Sequence, residues 1–324
     1  MSKVELLSFD IWDTVLRRKC HPDEIKLFTS RYIYLKYFDL LKETFQSYIL
    51  INQERLKCEH DIGMKSKDMG FDDEYTLSEV FEELLLRIST NITSKALRRI
   101  VDELIEVELN HEKDLLYLDP QIAETLNTIN ANKRVFISDF YMGKFQLENL
   151  LKAAGFKISY DDGFVSCDFK LNKRSGRLFT KVHSILNVQP DQHLHLGDNE
   201  HSDVLSPQSL GIKTLHYNNK AEEKKRKKLK IKFENRFNHI EYYIEDLLER
   251  VSRIPLRKNL TSKQIELIRI GRGAALFFYT FVAFVIEDAI KKKLDKIYYF
   301  TREGEFFKKI HDEILNNNPY GLPL

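Results

Sequence analysis

Polar side chains with the chemistry of phosphoryl transfer follow several short apolar runs of the sequence. They are a carboxylate at Asp10, a hydroxyl at Ser138, a lysine near position 173, and the carboxylates of Asp198 and Asp203. Phosphoryl transfer needs a nucleophile, a divalent cation to reduce charge repulsion, and donors for the phosphoryl oxygens. Acidic oxygens in this number favour Mg²⁺ as the cation.

Strands that alternate with helices must bring these side chains together. The sequence predicts strands over residues 6–9, 134–139, 163–167, 193–197 and 213–217, with helical periodicity between them. This alternation predicts an α/β fold with a Rossmann-like parallel sheet. Because ligands bind beyond the carboxyl ends of such strands, we expect the polar side chains to meet at that edge.

A helical insertion is predicted between the first strand and the second, over residues 17–116. Thr76 and Glu79 have the spacing of a capping box, and Thr93 precedes another periodic apolar stretch. The sheet would then be formed by residues 1–16 and 117–219.

Size and composition restrict the classes of function. The chain has 324 residues, of which 43% are hydrophobic and 31% charged, and its formal net charge is +2. These values predict a soluble protein with more than one domain and no nucleic-acid partner. Three scattered cysteines and a start without a signal peptide favour a cytoplasmic protein. The apolar run over residues 273–286 is too short to cross a bilayer, so we expect a buried helix and no transmembrane segment.

The C-terminal third has a different composition. Residues 220–262 are predicted to be a basic, helical linker, with an anionic-membrane or partner contact as the alternative for the basic run. Residues 263–324 resemble the start of a second α/β domain, with a strand over 296–300 followed by Arg302, Glu303 and Gly304. We expect Arg302 to lie in a strand-to-helix turn, with anion binding as the alternative. This domain looks incomplete, so the chain is expected to be a fragment of a longer protein.

Taken in order, these motifs resemble those of the haloacid dehalogenase superfamily. Asp10 and Thr14 match its first motif, Asp-x-Asp-x-Thr, and Ser138 matches its second. Lys173 matches the third motif, with Lys170 as the alternative. Residues 197–203 match the fourth motif, Gly-Asp-x₄-Asp.

This resemblance implies roles for the matched residues. Asp10 would be the nucleophile, Ser138 would bind the phosphoryl group, and Lys173 would stabilise the transferred charge. Mg²⁺ would be held by Asp10, Asp198, Asp203 and the backbone carbonyl of Trp12, with Asp198 the more direct ligand of the fourth motif. The resemblance also implies that the helical insertion is a cap, or lid, over the site, with an ordinary helical subdomain as the alternative. It implies that the substrate is a small phosphorylated molecule.

Trp12 departs from the pattern, because superfamily phosphatases have an aspartate there that protonates the leaving group. Loss of a general acid typically costs about 10²–10⁴ in rate. An active enzyme should therefore prefer acyl phosphates, aryl phosphates or anhydrides. Whether Asp13 acts as the general acid in place of the missing aspartate stays open. An aromatic residue here also occurs in the metal-independent dehalogenases, but the fourth motif argues against that branch. The alternative is a weakened binding or scaffold module.

A narrower resemblance concerns three short segments, at residues 9–14, 137–142 and 299–304. They are similar to a bacterial subgroup of the superfamily that is found with glycosyltransferases of surface-polysaccharide assembly. This resemblance implies a glycosyltransferase domain or partner.

Overall fold

The computed structural model describes residues 4–235, 248, 251–318 and 321–323. The chain divides into two compact units, one of residues 1–30 and 40–229 and the other of residues 31–39 and 230–324. Residues 220–229, which the sequence analysis assigns to a linker, belong to the first unit. Residues 236–247, 249 and 250 of the same predicted linker lie outside the described residues.

The first unit is built on a five-stranded parallel sheet. Its strands are β1 (Val4–Phe9), β4 (Ala131–Ser138), β5 (Asp162–Val165), β6 (His193–Gly197) and β7 (Lys213–His216), and a separate antiparallel pair is formed by β2 (Leu16–Arg18) and β3 (Leu116–Leu118). The order β5-β4-β1-β6-β7 places β1 in the centre. The predicted α/β fold with a parallel sheet is confirmed.

Helices connect these strands and cover the sheet. They are α1 (Pro22–Lys36), α2 (Tyr48–Asp68), α3 (Leu77–Ile88), α4 (Ser94–Leu115), α5 (Ile122–Asn127), α6 (Lys144–Ala153), α7 (Ser166–Phe169), α8 (Arg177–Leu186), α9 (Ser206–Ser209) and α10 (Lys220–Glu234). A π-helix, Glu200–Leu205, follows β6. Strand β5 is shorter than predicted because Ser166 already begins α7.

Alternation along the central strand assigns side chains to the two faces of the sheet. Leu6 packs with Val135 of β4 and with Phe179 of α8 in a buried apolar cluster. Phe9 points to the other face, where its ring lies 5.9 Å from that of Phe156. Both faces of β1 are therefore buried, and the strand holds Asp10 at its end rigidly.

The antiparallel pair of β2 and β3 stands at the base of the helical insertion. Helices α2, α3 and α4 of this insertion pack in sequence, and the predicted caps at Thr76 and Thr93 are formed. In its interior the Arg55 guanidinium donates to both carboxylate oxygens of Glu108, at 2.5 and 2.7 Å. The predicted role of this insertion as a lid stays a prediction.

The second unit is helical in the part that the structure describes. Its two long helices, α11 (Ser262–Lys291) and α12 (Glu303–Asn317), pack through a buried cluster that includes Val282, Ile286 and Ile314. The predicted strand over residues 296–300 is wrong: the segment has no ladder partner among the described residues, and Phe300 is 90% exposed. High β-propensity cannot form a strand without a neighbouring strand.

Helix α11 also corrects the prediction of a short, buried helix. A capping box at Thr261 and Gln264 starts it well before the apolar run, and its buried residues are only Val282, Ile286 and Ala289. By length and composition alone, α11 could cross a membrane. The expectation of a chain without a transmembrane segment stays a prediction.

Candidate active site

The carboxyl ends of β1, β4 and β6 open into a cavity of about 540 Å³. Its lining combines acidic, basic and aromatic side chains: Asp10, Trp12, Asp13, Asp73, Glu74, Tyr75, Asp139, Phe140, Tyr141, Lys173, Arg174, Asp198, Asn199, His201, Ser202, Asp203 and Arg226. Most of the candidate residues that follow strands therefore meet at one edge of the sheet, as their positions predict.

Asp10 lies at the end of β1 and is almost fully buried. Lys173 is buried beside it, and its Nζ donates to Asp10 Oδ1 at 2.5 Å and to Asp203 Oδ1 at 2.6 Å. Burial raises the pKa of Asp10 well above its ordinary value, the charge of Lys173 opposes that rise, and the carboxylates of Asp203 and Asp198 add to it. Lys173 alone is therefore not enough to offset the effect of burial on the pKa of Asp10.

Asp203 is fixed by donors from three parts of the chain. Besides Lys173, His195 Nε2 lies 3.2 Å from Asp203 Oδ1, and the backbone N–H of Asn199 donates to Oδ2 at 2.9 Å. Burial would raise the pKa of Asp203, but Lys173 and His195 outweigh it and hold the pKa below its usual range. Asp203 is thus a carboxylate held ionised, with both oxygens engaged.

Gly197 is required by the position of Asp203. A Cβ atom at residue 197 would lie 2.4 Å from Asp203 Cγ, which no side chain tolerates. The Gly-Asp-x₄-Asp spacing follows from this contact, because the turn after β6 and the π-helix fold the second aspartate back over the strand end.

Asp198 completes the acidic cluster. One oxygen atom of each of Asp10, Asp198 and Asp203 lies within 4.8 Å of the others. The Thr14 hydroxyl lies 3.3 Å from Asp10 Oδ2 and 3.4 Å from Asp198 Oδ1, and so lies between these two carboxylates. Burial raises the pKa of Asp198 to about 6, with Asp13 adding to the rise and Arg226 opposing it. Ionising this cluster is costly without a further cation.

Ser138 is placed differently from its expected role. Its hydroxyl is fully buried, has no hydrogen-bond partner among the described residues, and does not line the cavity. The next residue, Asp139, lines the cavity instead, and its carboxylate accepts the backbone N–H of Lys173 at 2.9 Å. The phosphoryl-binding role of Ser138 stays a prediction, whereas Asp139 orients the loop that carries Lys173.

The structure distinguishes the two candidate lysines. Lys173 reaches Asp10, whereas the Nζ of Lys170 donates to Glu79 at 2.5 and 2.7 Å, in the helical insertion. Lys170 has a left-handed backbone (φ +55°) at the end of α7, and this turn directs the following residues toward the cavity. Lys173 is therefore the lysine of the site.

Trp12 occupies the position where an aspartate would act as general acid. Its ring has the Arg18 guanidinium 3.4 Å from the centroid and the Phe140 ring 5.0 Å away. Arg18 in turn forms a two-point ion pair with Glu112 of α4, at 2.8 Å for both contacts. The indole N–H has no hydrogen-bond partner among the described residues. This side chain is packed in place and supplies no exchangeable carboxyl proton.

Arg226 is a site residue that sequence reasoning missed. It lies in α10, inside the basic run that composition marks as a linker, and its Nη1 is 2.8 Å from Asp13 Oδ2 and 3.0 Å from Asp198 Oδ2. Asp13 also lies within 3.8 Å of Arg17 Nη1. Asp13 therefore lines the cavity as an ion-paired carboxylate. A run of lysines and arginines gives no sequence signal for which one reaches a distant strand end.

Solved structures with a similar fold include two dehalogenases and a related hydrolase. A 2-haloacid dehalogenase from Pseudomonas syringae pv. tomato DC3000 has a TM-score of 0.46 and 16% identity, covering 66% of this chain and 86% of that one. The L-2-haloacid dehalogenase from Xanthobacter autotrophicus has a TM-score of 0.40 and 15% identity, covering 67% of this chain and 80% of that one. A haloacid dehalogenase-like family hydrolase from Xanthomonas campestris has a TM-score of 0.41 and 16% identity, covering 66% of this chain and 81% of that one.

These proteins come from the superfamily that the sequence motifs resemble. No protein-family model matches the sequence, and no curated protein matches it. At 15–16% identity the three structures do not transfer an activity. The function proposed below rests on the geometry of the site itself.

Proposed function

We propose that this chain is a hydrolase of the haloacid dehalogenase superfamily that cleaves phosphate esters or anhydrides with the help of Mg²⁺. The observation that carries the proposal is the arrangement around Asp10. Its carboxylate contacts Lys173 and has oxygens of Asp198 and Asp203 within 4.8 Å. A buried carboxylate beside a lysine and two further carboxylates has the composition of a phosphoryl-transfer site.

The residues present fit a hard divalent cation. The donors are carboxylate oxygens, which suit Mg²⁺, and burial raises the pKa of both Asp10 and Asp198. Asp10 and Asp198 would hold the ion, together with the Trp12 carbonyl, while Asp203, with both oxygens engaged, would mainly fix Lys173. When bound, the ion would offset the repulsion between the carboxylates and the phosphoryl oxygens.

The reaction divides into two displacements at phosphorus. An oxygen of Asp10 attacks phosphorus, the bond to the leaving oxygen breaks, and the leaving group departs with the electron pair of that bond. Water then attacks the phosphorus of the aspartyl phosphate, loses its proton to solvent, and restores the Asp10 carboxylate as inorganic phosphate leaves. Lys173 opposes the rise in the pKa of Asp10 and orients its carboxylate for the attack.

The tryptophan at position 12 limits which phosphate compounds are cleaved efficiently. No carboxylic acid stands at that position, and the nearby Asp13 is paired with Arg226. Leaving groups that depart as stable anions need no proton, which favours acyl phosphates, aryl phosphates and anhydrides over sugar phosphates.

A screen of phosphorylated metabolites with and without Mg²⁺ tests the proposal, using p-nitrophenyl phosphate as the common reference. Asp10→Asn should abolish Mg²⁺-dependent hydrolysis. Asp191→Asn is the matched control: it removes an exposed carboxylate at the opposite end of β6 and should leave activity unchanged. Hydrolysis that persists in Asp10→Asn would remove Asp10 from the mechanism. Metal-independent halide release from a 2-haloacid would instead identify a dehalogenase.

A second candidate is a binding or scaffold module that recognises a phosphorylated ligand without turnover. The observation that favours it is the fixed Trp12 side chain in the place of a proton donor. Calorimetric binding of phosphate with no hydrolysis of any screened compound would support this alternative. Association with a glycosyltransferase and a cytoplasmic location also stay predictions, and co-purification and cell fractionation would test them.

A further inference from the structure

Helix α10 is attached to the first unit by a buried polar network. Asp119 is almost fully buried and accepts hydrogen bonds from Arg17 at 2.9 Å, from Tyr217 at 2.5 Å and from Asn219 at 3.2 Å. Within α10, Glu222 accepts from the Tyr117 hydroxyl at 2.5 Å. The start of the helix is therefore fixed in position, and Arg226 on its next turn lines the cavity.

Arg226 lies on that turn, one helical turn after Glu222. Its guanidinium contacts three carboxylates: Asp13 at 2.8 Å, Asp198 at 3.0 Å and Glu223 at 2.6 Å. Unlike Lys173, which is 3% exposed, the Arg226 side chain is 44% exposed. Arg226 is thus an exposed cation at the cavity, with room to change its contacts.

The charges of the site explain why Arg226 would change partners. Seven carboxylates line the cavity, against the three cations Lys173, Arg174 and Arg226, which leaves four uncompensated negative charges when all the carboxylates are ionised. A divalent cation would supply part of the missing positive charge, but it must share Asp198 with the Arg226 guanidinium. Two cations on one carboxylate repel each other, and the exposed one is the one free to move.

We propose that Arg226 exchanges one carboxylate partner for the substrate. In the free protein it neutralises Asp198. When a divalent cation occupies the acidic cluster, the guanidinium moves from Asp198 to the phosphate oxygens of the substrate in the cavity. The planar fork of an arginine can donate to two phosphate oxygens. Asp13 on Nη1 and Glu223 on Nη2 would keep the guanidinium at the cavity during the move. This inference rests on the proposed function and adds an anion-binding residue supplied by α10.

Calorimetry on the full chain tests the exchange without relying on turnover. Arg226→Ala should bind Mg²⁺ about tenfold more tightly, because the competing cation is gone. At saturating Mg²⁺ the affinity of this variant for inorganic phosphate should be lower by a factor of about ten or more, because a charged donor is lost. Arg226→Lys keeps the charge but not the fork, so its Mg²⁺ affinity should stay near that of the wild type while phosphate binding weakens. Lys228→Ala, an exposed change on the same helix, should alter neither affinity.

Opposite shifts of the two affinities are the signature of the exchange, since a merely structural role would weaken both. Parallel weakening in Arg226→Ala, no change in either affinity, or tighter Mg²⁺ binding with unchanged phosphate binding would each overturn the inference. If the wild type hydrolyses phosphates with Mg²⁺ and one of these results is found, only the inference fails. If the wild type binds no Mg²⁺, the inference and the proposed function fail together.

Discussion

Lys173→Met is the most informative perturbation of the folded state. In the wild type, the buried ammonium contacts Asp10 at 2.5 Å and Asp203 at 2.6 Å. Methionine preserves most of the side-chain volume but leaves both carboxylates without their cation. Removing one partner of a buried ion pair typically costs about 3–5 kcal/mol, and we expect the upper part of that range because two carboxylates lose their partner. For a unit of this size the melting temperature should fall by roughly 6–20 °C.

The loss should depend on pH and on Mg²⁺. In the wild type the pKa of Asp203 is held low, so its contribution to stability is present at neutral pH and is lost as pH falls through the folded pKa. In Lys173→Met the pKa of Asp203 and that of Asp10 rise, so the folded variant takes up protons and becomes relatively more stable as pH falls. The difference in the free energy of unfolding between the wild type and Lys173→Met should therefore be smaller at pH 5 than at pH 7.5. Mg²⁺ should also narrow it by replacing the missing positive charge.

Chemical and thermal unfolding of both proteins at these two pH values, with and without Mg²⁺, measures the effect. Lys170→Met is the matched control, because Lys170 lies in the same loop segment but forms its ion pair with the partly exposed Glu79. An exposed pair contributes about 0–1 kcal/mol, so this variant should lose little stability and show no Mg²⁺ dependence. A loss in Lys173→Met that is equally small, or independent of pH and Mg²⁺, would refute the electrostatic account of the site.

Two further predictions concern the cavity. Trp12→Asp should raise kcat/KM on alkyl phosphates relative to aryl phosphates by about 10²-fold, because it supplies a leaving-group acid; an unchanged ratio between the two substrate classes would contradict the missing-acid argument. Glu74→Gln should raise the melting temperature above pH 7 and have little effect near pH 4.5. Burial raises the pKa of Glu74 to about 7, so stability falls as pH rises through the window between its unfolded and folded pKa, by about 3 kcal/mol in all. A difference in melting temperature between wild type and variant that stays constant from pH 4.5 to pH 8 would show that ionising Glu74 does not destabilise the folded protein.

The parallel sheet and the acidic cluster were predictable because local sequence determines them. A short apolar run that ends in a carboxylate specifies both a buried strand and the position of its polar end, as β1 and Asp10 do. The Gly197–Asp203 relation is equally local, since the close approach of Asp203 leaves no room for a Cβ atom on the glycine.

Features that depend on long-range packing were not predictable. Arg226 belongs to a run of similar basic residues, and only the network around Asp119 determines which of them faces the cavity. The segment at residues 296–300 has the composition of a strand, but it has no strand to pair with in the part of the chain that the structure describes. Ser138 is fully buried at the end of β4, where it pairs with Val165 of β5, and it does not line the cavity. The sequence gives no sign of this burial.

Crystals soaked with Mn²⁺, a stand-in for Mg²⁺ that is visible by anomalous scattering, would locate the cation. If Asp10 and Asp198 share it, we expect one strong anomalous peak between their carboxylates and the loss of that peak in crystals of Asp198→Asn. A peak elsewhere, or none at a concentration that supports hydrolysis, would contradict the proposal that these two side chains share a cation.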